Sequence, residues 1–559
     1  MKWYSIGIAL MLVMAGCSKM QDAGPLNNLT EGLVFDSTDR NGYYAEQFVN
    51  DIYSSLPNGF NRIDGNLLDA ATDDAVASQD GTNIDFFTKG FINSSLNPDD
   101  AWAKNYAGIR KVNLLLAKID VVPVPAKIPF WKAEARALRA LFYFELVKRY
   151  GGVPLVGDAL LNTDAPANFK RNSFEECINY IVAECDAVKG LVKTDPLSSA
   201  DYGKMSTGVV QALKARTLLY AASPLYNGGN TGTTPEQKLV QGYAAYDAER
   251  WNKAAAAANE LITGGKFSLE ATYSNVFINR KNAEVILAFL RPVTSDLETA
   301  NGPVGYAVAG NGNGRTSPTQ DLVDAFPMSN GKAITESGSG YSATSPYTNR
   351  DPRLANTVLY NGAAWLNRPL QTFEGGLDKP NKNTTQTKTG YYLRKFLGNF
   401  AAQAQYSNQN HNFPIFRYAE VLLSYAEAAN EYSSAGTAIA YTQLRAIRKR
   451  AGIAAGSDNN YGLKANMTQL EMREAIRLER RLEMAYEEQR FWDARRWKIA
   501  EQAFNVQLSG MKITNTAGVL TYEKVPVQPI RFTAPAMYFY PIPFSELTKN
   551  TNLIQNAGW

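Results

Sequence analysis

A single histidine, His411, stands in 559 residues. Imidazole-ligated metal sites, Ser-His-Asp triads and Cys-His dyads would all have to use it, so most catalytic chemistry is closed to this chain. His411 sits in the Asn-rich run YSNQNHNF and reads as a structural loop residue. Carboxylates are plentiful, with 53 Asp and Glu against 57 Lys and Arg. Two would suffice for glycoside hydrolysis, yet such abundance guarantees candidate pairs and singles out none. No catalytic residue, cofactor or metal ligand is assigned on this basis. The sequence does offer aromatic and amide side chains in two loop-rich stretches. Phe86, Phe87 and Asn97 lie in the first, and Tyr306, Asn311, Asn313, Arg315, Tyr341, Tyr347 and Trp365 in the second. Aromatic faces can cover the C–H surface of a sugar ring, while amide, carboxylate and guanidinium groups bond its hydroxyls. Each net hydrogen bond contributes only about 1 kcal/mol, so stacking area and polymer multivalency must carry affinity. Any one of these aromatics is more often a packing residue than a ligand contact.

The other chemistry-bearing residue is Cys17. Lys2, an apolar run from Ile6 to Met14 and then Ala15-Gly16 form the plan of a secretory signal, too short to span a bilayer. The Met-Ala-Gly-Cys ending resembles a bacterial lipobox, in which the cysteine is acylated and becomes the new N-terminus. Two or more acyl chains anchor stably, at about 0.8 kcal/mol per buried CH2. Residues 1–16 are thus expected to be a signal peptide and 17–28 a lipidated, flexible tether. Cys177 and Cys185 sit in one expected helix, SFEECINYIVAECDAVKGL, roughly 12 Å apart at 1.5 Å per residue. A disulfide spans no more than about 7 Å, so both read as small core residues. A net charge of +4 makes no polycation, which argues against nucleic acid as a partner.

The elements that must position these side chains are mainly helices, expected at 102–120, 131–150, 173–222, 247–263, 416–451 and 468–503. An earlier helix is expected near 41–55. Gly151-Gly152 is a natural stop for the second long helix, and Arg136, Arg139 and Glu145 within it read as buried or half-buried ion pairs. From 282 to 412 helical periodicity fades, and Gly, Asn, Thr, Ser and Tyr dominate. Strand-like pieces such as EVILAF and GYYLRKF are expected there, with a hairpin turn at Asn330-Gly331. Gly310–Gly314 lacks the context of a phosphate loop and reads as a flexible turn. NRDPRL, residues 349–354, reads as a structural turn in which Asp351 pairs with Arg350 or Arg353. Thr468 and Glu471 form a capping-box start for a segment dense in both charges. The pairs Glu474/Arg477, Arg480/Glu483, Glu487/Arg490 and Asp493/Arg496 fall at i,i+3 spacing. A solvated, salt-bridged face is the expectation.

That segment, ERRLEMAYEEQRFWDARRW, resembles the hallmark C-terminal stretch of the SusD/RagB family of surface nutrient-binding lipoproteins. FPIFRYAEVLLSYAEAANE (413–431), PTQDLVDAFPMSNGK (318–332), WAKNYAGIRKVN and YFYPIPFSELTKNTNLIQNAGW (538–559) are similar to further stretches of the same family. The resemblance implies a mainly α fold: degenerate tetratricopeptide-like helix pairs carrying a loop-rich, irregular ligand-binding region with short strands. No clean 34-residue period is visible. The expected division is a helical region over 29–281 and a C-terminal region over 282–559, with the loop-rich part at 282–412 and closing helices at 413–503. The resemblance also implies a surface-exposed lipoprotein of the cell outer membrane. It would bind an oligo- or polysaccharide and hand it to a SusC-like TonB-dependent transporter without catalysis. A peptide-binding lipoprotein of the RagB type, a glycoside hydrolase and a purely structural lipoprotein are the alternatives. The expected ligand face comprises Phe86, Phe87, Asn97, Tyr306, Asn311, Asn313, Arg315, Tyr341 and Trp365.

Overall fold

A computed structural model describes residues 30–161, 168–306, 312–382, 385–400, 406 and 410–559. Cys17, the signal-like segment, the tether and Asn311 lie outside the described residues.

The molecule is mainly helical. After α1 (Tyr43–Ile52) come α2 (Trp102–Lys118), α3 (Ile128–Tyr150), α4 (Phe174–Val188), α5 (Thr207–Ala222) and α6 (Glu249–Thr263). A second group holds α7 (Tyr418–Tyr432), α8 (Gly436–Ala451), α9 (Gln469–Glu483) and α10 (Gln489–Arg496). Each helix from α2 to α6 packs on the next, and α7 packs on α6, α8 and α9, so the helix-pair array runs straight across the intervening insertion. The expected helices are present, with 173–222, 416–451 and 468–503 each broken into shorter pieces. Helix α3 is buried on nearly every side from Ala133 onward. Ala135, Ala137 and Ala140 let its neighbours approach closely, and Gly151 ends it with φ +77. A Cβ there would lie 2.2 Å from the Val240 carbonyl oxygen, so only glycine fits. Cys177 and Cys185 are buried, unpaired residues of α4.

The insertion has a stem. Strands β2 (Val285–Leu290) and β4 (Asn412–Arg417) pair antiparallel, from Val285 opposite Arg417 to Leu290 opposite Asn412. The chain therefore leaves α6 through β2 and returns through β4 into α7, and residues 291–411 form an excursion between two helices that touch. Inside it, β3 (Thr316–Pro318) pairs antiparallel with β1 (Ala75–Ala77) of the first loop, Ala75 opposite Pro318. Tyr392–Leu393 within GYYLRKF pairs with Val358–Leu359. At Asn330-Gly331 the chain does turn, with Gly331 N donating to Met328 O (2.8 Å) and Met328 N to Lys332 O (2.9 Å). No strand ladder extends from it, so it is a tight turn and not a hairpin.

A ribbon that the sequence reading did not anticipate, β5 (Gln507–Thr516) and β6 (Val519–Pro529), follows α10. Its two-residue loop is Ala517-Gly518, both at positive φ (+50 and +90), as the twist of a tight hairpin demands.

Candidate ligand-binding face

The charged hallmark segment is not a solvated face. Helix α9 starts with the expected capping box, Thr468 and Glu471 each accepting from the other's backbone N–H. Beyond it, Glu479, Arg480, Glu483, Glu487, Asp493, Arg495 and Arg496 are all buried. Two of the four i,i+3 pairs exist, Glu474/Arg477 at 3.0 Å and Asp493/Arg496 at 2.7 Å. The other charges reach outside the segment. Arg417, at the end of β4, donates through Nη1 to Glu284 (2.6 Å) and Glu483 (2.8 Å) and through Nε to Glu487 (2.7 Å). Arg353 of the insertion bonds Asp351 (2.7 Å), Glu479 (2.7 Å) and Glu483 (3.0 Å). Lys395 donates to Glu487 (2.6 Å), and Arg450 pairs with Glu284 and Glu483. Burial alone would raise the Glu483 carboxyl, but Arg450, Arg417 and Arg353 outweigh it and hold the group well below its usual range. Periodicity missed this because a charged stripe looks the same whether it meets water or a ring of opposite charges from distant segments. The expectation of a solvated face is thus overturned by burial among cations supplied by 353, 395, 417 and 450.

The same segment anchors the first loop. Between α9 and α10, Tyr486 and Glu488 adopt φ +64 and +63, a conformation costing roughly 1–2 kcal/mol per residue. The break turns Tyr486 N toward Asp69 Oδ1 (3.0 Å). Burial and the neighbouring Asp74 and Glu488 carboxylates push the Asp69 carboxyl up to about 8. Arg490 clamps Asp73 through two bonds of 2.8 Å, and Arg481 holds Asp74 at 2.7 Å. Both loop-rich stretches are therefore fixed to one charged hub.

From that base, β1 and β3 bring the two stretches together. Ser78 N donates to Arg315 O (2.9 Å), and the Arg315 guanidinium bonds the Gln79 side chain. Asn301 Nδ2 donates to Asn61 Oδ1 (2.9 Å), whose own amide reaches Asp296 O (3.2 Å). Asn313 is tied to Thr299 O by its backbone N–H (2.9 Å) and by Nδ2 (3.0 Å). Asn313, Arg315 and Gln79 are half-buried, and Asp80, Asn83 and Asp64 beside them are exposed.

Next to this polar patch lies an aromatic group. Tyr306 is only 3% exposed; its hydroxyl donates to Trp365 O (2.5 Å) and Arg368 O (3.1 Å), and burial lifts the phenol to about 12. Trp365 is 4% exposed, with Phe400 edge-on at 5.8 Å, Tyr406 tilted at 6.2 Å and the Arg394 guanidinium at 5.2 Å. Arg368 stacks over Tyr306 at 4.1 Å and is held by Asp378 at 2.7 Å. Gly302 is packed against Tyr406 and Gly314 against Tyr392, so residues 299–306 and 312–315 form the shared rim of the polar patch and the aromatic group.

The remaining expected residues lie elsewhere. Tyr341 is half-buried beneath Arg350 at 5.7 Å. Tyr347 stacks on Tyr360 at 4.4 Å and faces Tyr522 of β6 at 5.9 Å. Phe87 is 2% exposed, edge-on to Phe491 at 5.6 Å, while Phe86 is half-buried. Asn97 is half-buried and accepts Asp99 N (3.0 Å). Of the expected set, Tyr306, Asn313, Arg315 and Trp365 come together, and Phe86, Phe87, Asn97 and Tyr341 do not join them. Gln79, Arg368, Phe400 and Tyr406 belong to the same surroundings and were missed. For Arg368 a signal existed, a guanidinium three residues after Trp365; the pairing of Gln79 with Arg315 depends on β1–β3 and is invisible in one dimension.

The carboxylates near this face are each engaged. Asp296 pairs with Arg291, Asp378 with Arg368, and Glu298 accepts from or donates to the His411 ring at 2.7 Å. His411 is 2% exposed beside β4. Among the described residues, no group of His, Cys, Asp and Glu could hold a metal ion, and no helix is long and apolar enough to cross a membrane.

Two family descriptions match the chain. A family model described as "SusD family" matches residues 264–559, and one described as "Starch-binding associating with outer membrane" matches 35–216. A SusD-like protein of Formosa agariphila is 24% identical over 100% of this chain and 99% of its own length, and another from that organism is 25% identical over 81% and 82%. A crystal structure of a SusD-like protein from Bacteroides fragilis superposes with TM-score 0.78 at 25% identity, covering 94% of this chain and 98% of that one. A laminarin-binding SusD-like protein shares the fold at TM-score 0.62 and 22% identity, covering 92% and 99%. With the insertion stem, the charged hub and more than half of the sequence accounted for by one family description, this chain belongs to the SusD family.

Proposed function

We propose that the protein captures an oligo- or polysaccharide at the face built by the first loop and the insertion, and leaves its glycosidic bonds intact. The observation that carries this reading is the β1–β3 clamp. It sets half-buried amide and guanidinium groups (Gln79, Asn313, Arg315) beside exposed Asp64, Asp80 and Asn83, the polar groups that sugar hydroxyls require, next to a buried aromatic group (Tyr306, Trp365). The family description "Starch-binding associating with outer membrane", matched over 35–216, supports both the ligand class and the location. Retention of the bonds is supported by the carboxylates. A glycosidase needs a protonated acid and a free carboxylate facing across the scissile bond, and Asp296, Asp378 and Glu298 are each committed to a partner.

In this reading Cys17 carries the acyl anchor, the protein sits on the outer face of the outer membrane, and the cargo passes to a SusC-like TonB-dependent transporter. The helical region 29–281 and the C-terminal region 282–559 share the work, the second supplying most of the ligand face. Hydrogen exchange with and without a bound polysaccharide tests the placement. Protection is expected at 76–83, 299–306 and 312–318. Protection confined to the helix array, with these segments unchanged, would refute it.

A further inference from the structure

A second cleft lies where the first loop meets the end of the chain. Residues 91–97 form a small turn, with Asn93 and Leu96 bridged and Asn93 Oδ1 accepting Ser95 N (2.9 Å) and Leu96 N (3.0 Å). The C-terminal segment docks on it, Phe544 N donating to Ser94 O (2.8 Å). Between them is a cleft of about 300 Å3 walled by Ser94, Ser95, Asn97, Asp100, Pro541 and Phe544. Its chemistry is that of a sugar site. Phe544 is 55% exposed, which leaves its ring free to face a ligand. Asn97 Oδ1 is used by Asp99 N, but its Nδ2 donor has no hydrogen-bond partner in the protein. That donor is buried, and leaving such a group unsatisfied costs about 1–3 kcal/mol, which a turn of the Asn97 amide toward a ligand hydroxyl in the cleft would recover. Asp100 is held by Tyr150 (2.6 Å) and Trp102 N (3.0 Å) through Oδ1 alone.

Asp100 also walls a neighbouring cleft of about 300 Å3 that contains Asn58, Arg62, Lys104 and Asn105. The two clefts therefore share one carboxylate as a common wall. Neither contains Arg315, Tyr306 or Trp365, and the turn at 91–97 is fastened to the chain end, whereas Arg315 and β3 are fastened to β1 and Ser78.

We infer that the cleft beside Phe544 is an additional saccharide subsite, with Phe544 as its stacking platform and Asn97 and Asp100 as its hydroxyl partners, which grips a second stretch of a polysaccharide already held at the main face. The inference rests on the glycan-capture reading and adds two-point attachment to it. Two weak contacts on one chain multiply through effective concentration, so the cleft serves long chains and is dispensable for short ones.

The test uses purified protein, a soluble glucan or other polysaccharide that binds the wild type, and an oligosaccharide of the same sugar short enough to fill only one site. Phe544→Ala removes an exposed ring, and Ser95→Trp fills the cleft from the opposite wall; thermal midpoints verify that both remain folded. Both variants are expected to weaken the polysaccharide by on the order of ten-fold and to leave the oligosaccharide affinity unchanged. Wild-type affinity for the polysaccharide in both variants would overturn the subsite while leaving the main reading intact. Equal weakening of short and long ligands would overturn the two-point arrangement. If the wild type binds no glycan at all, the capture reading falls and the subsite with it.

Discussion

Replacing Arg417 with methionine should be among the most damaging single changes in this chain. The guanidinium is fully buried and makes charge-assisted bonds to Glu284, Glu483 and Glu487 at 2.6–2.8 Å, with a further bond of 2.8 Å to Glu483 O. Methionine fills similar space but leaves three buried carboxylates facing Arg353, Arg450 and Lys395 alone. Breaking a buried ion pair by removing one partner typically costs about 3–5 kcal/mol. Unfolding entropy of about 2.1 cal/mol/K per residue over the roughly 510 described residues gives about 1.1 kcal/mol/K, so the midpoint should drop by about 3–5 °C if the chain unfolds as a unit. Glu474→Gln is the control: its pair with Arg477 has a carboxylate side chain 62% exposed, and a shift below about 1 °C is expected, since surface pairs contribute about 0–1 kcal/mol. Scanning calorimetry on the three proteins decides the matter. Arg417→Met also loosens the insertion stem, so exchange should quicken through 285–290 and 412–417 before it does in α3. A midpoint within the control's range, with the stem unaffected, would show that the hub does not hold the insertion.

Three further perturbations follow from individual residues. Asp69→Asn keeps an oxygen for Tyr486 N but removes a group whose folded pKa, about 8, lies far above the unfolded carboxylate value near 4. The wild type loses the corresponding stability as pH rises from about 4 through 8, so the variant should gain on it by about 1.4 kcal/mol per pH unit across that window; parallel urea curves at pH 5 and pH 8 would refute this. Glu145, paired with Lys148 (2.7 Å) and Arg149 (2.6 Å), is held at about 2 against burial. Its stabilisation is present above the unfolded value near 4.5 and disappears as pH falls through 2, so Glu145→Gln should cost about 3 kcal/mol at pH 7 and converge with the wild type in strong acid; a pH-independent gap would contradict it. Trp365→Ala should cost about 3–5 kcal/mol because the indole is 4% exposed among Phe400, Tyr406 and Arg394; an unchanged thermal midpoint would show the ring to be a surface platform instead.

The helical scaffold was legible because amphipathic periodicity, the Thr468–Glu471 box and Gly151 are local signals. The second long helix ends at Tyr150, where the sequence puts it, and Cys177 and Cys185 behave as the small core residues their spacing implies. The charged segment was misjudged for a reason that is also physical. Glu479, Glu483 and Glu487 are buried only because Arg353, Lys395, Arg417 and Arg450 arrive from elsewhere, and no local pattern records a partner more than thirty residues away. The ribbon at 507–529 turns on Ala517-Gly518, a weaker signal than Asn-Gly, and its alternation was passed over. For the ligand face, residue chemistry pointed to Tyr306, Asn313, Arg315 and Trp365. What it could not convey was exposure: the Tyr306 hydroxyl and the Trp365 ring are spent on each other's surroundings, while Phe544, near the end of the chain, stands open.

Calorimetric titration of the purified protein against starch, laminarin and other soluble polysaccharides, with reducing ends assayed in the same mixtures, bears most directly on what this molecule does. Saturable heat with at least one of them and a constant reducing-end count is the predicted result. Liberated reducing ends, or no heat with any saccharide alongside saturable heat with a peptide, would contradict it.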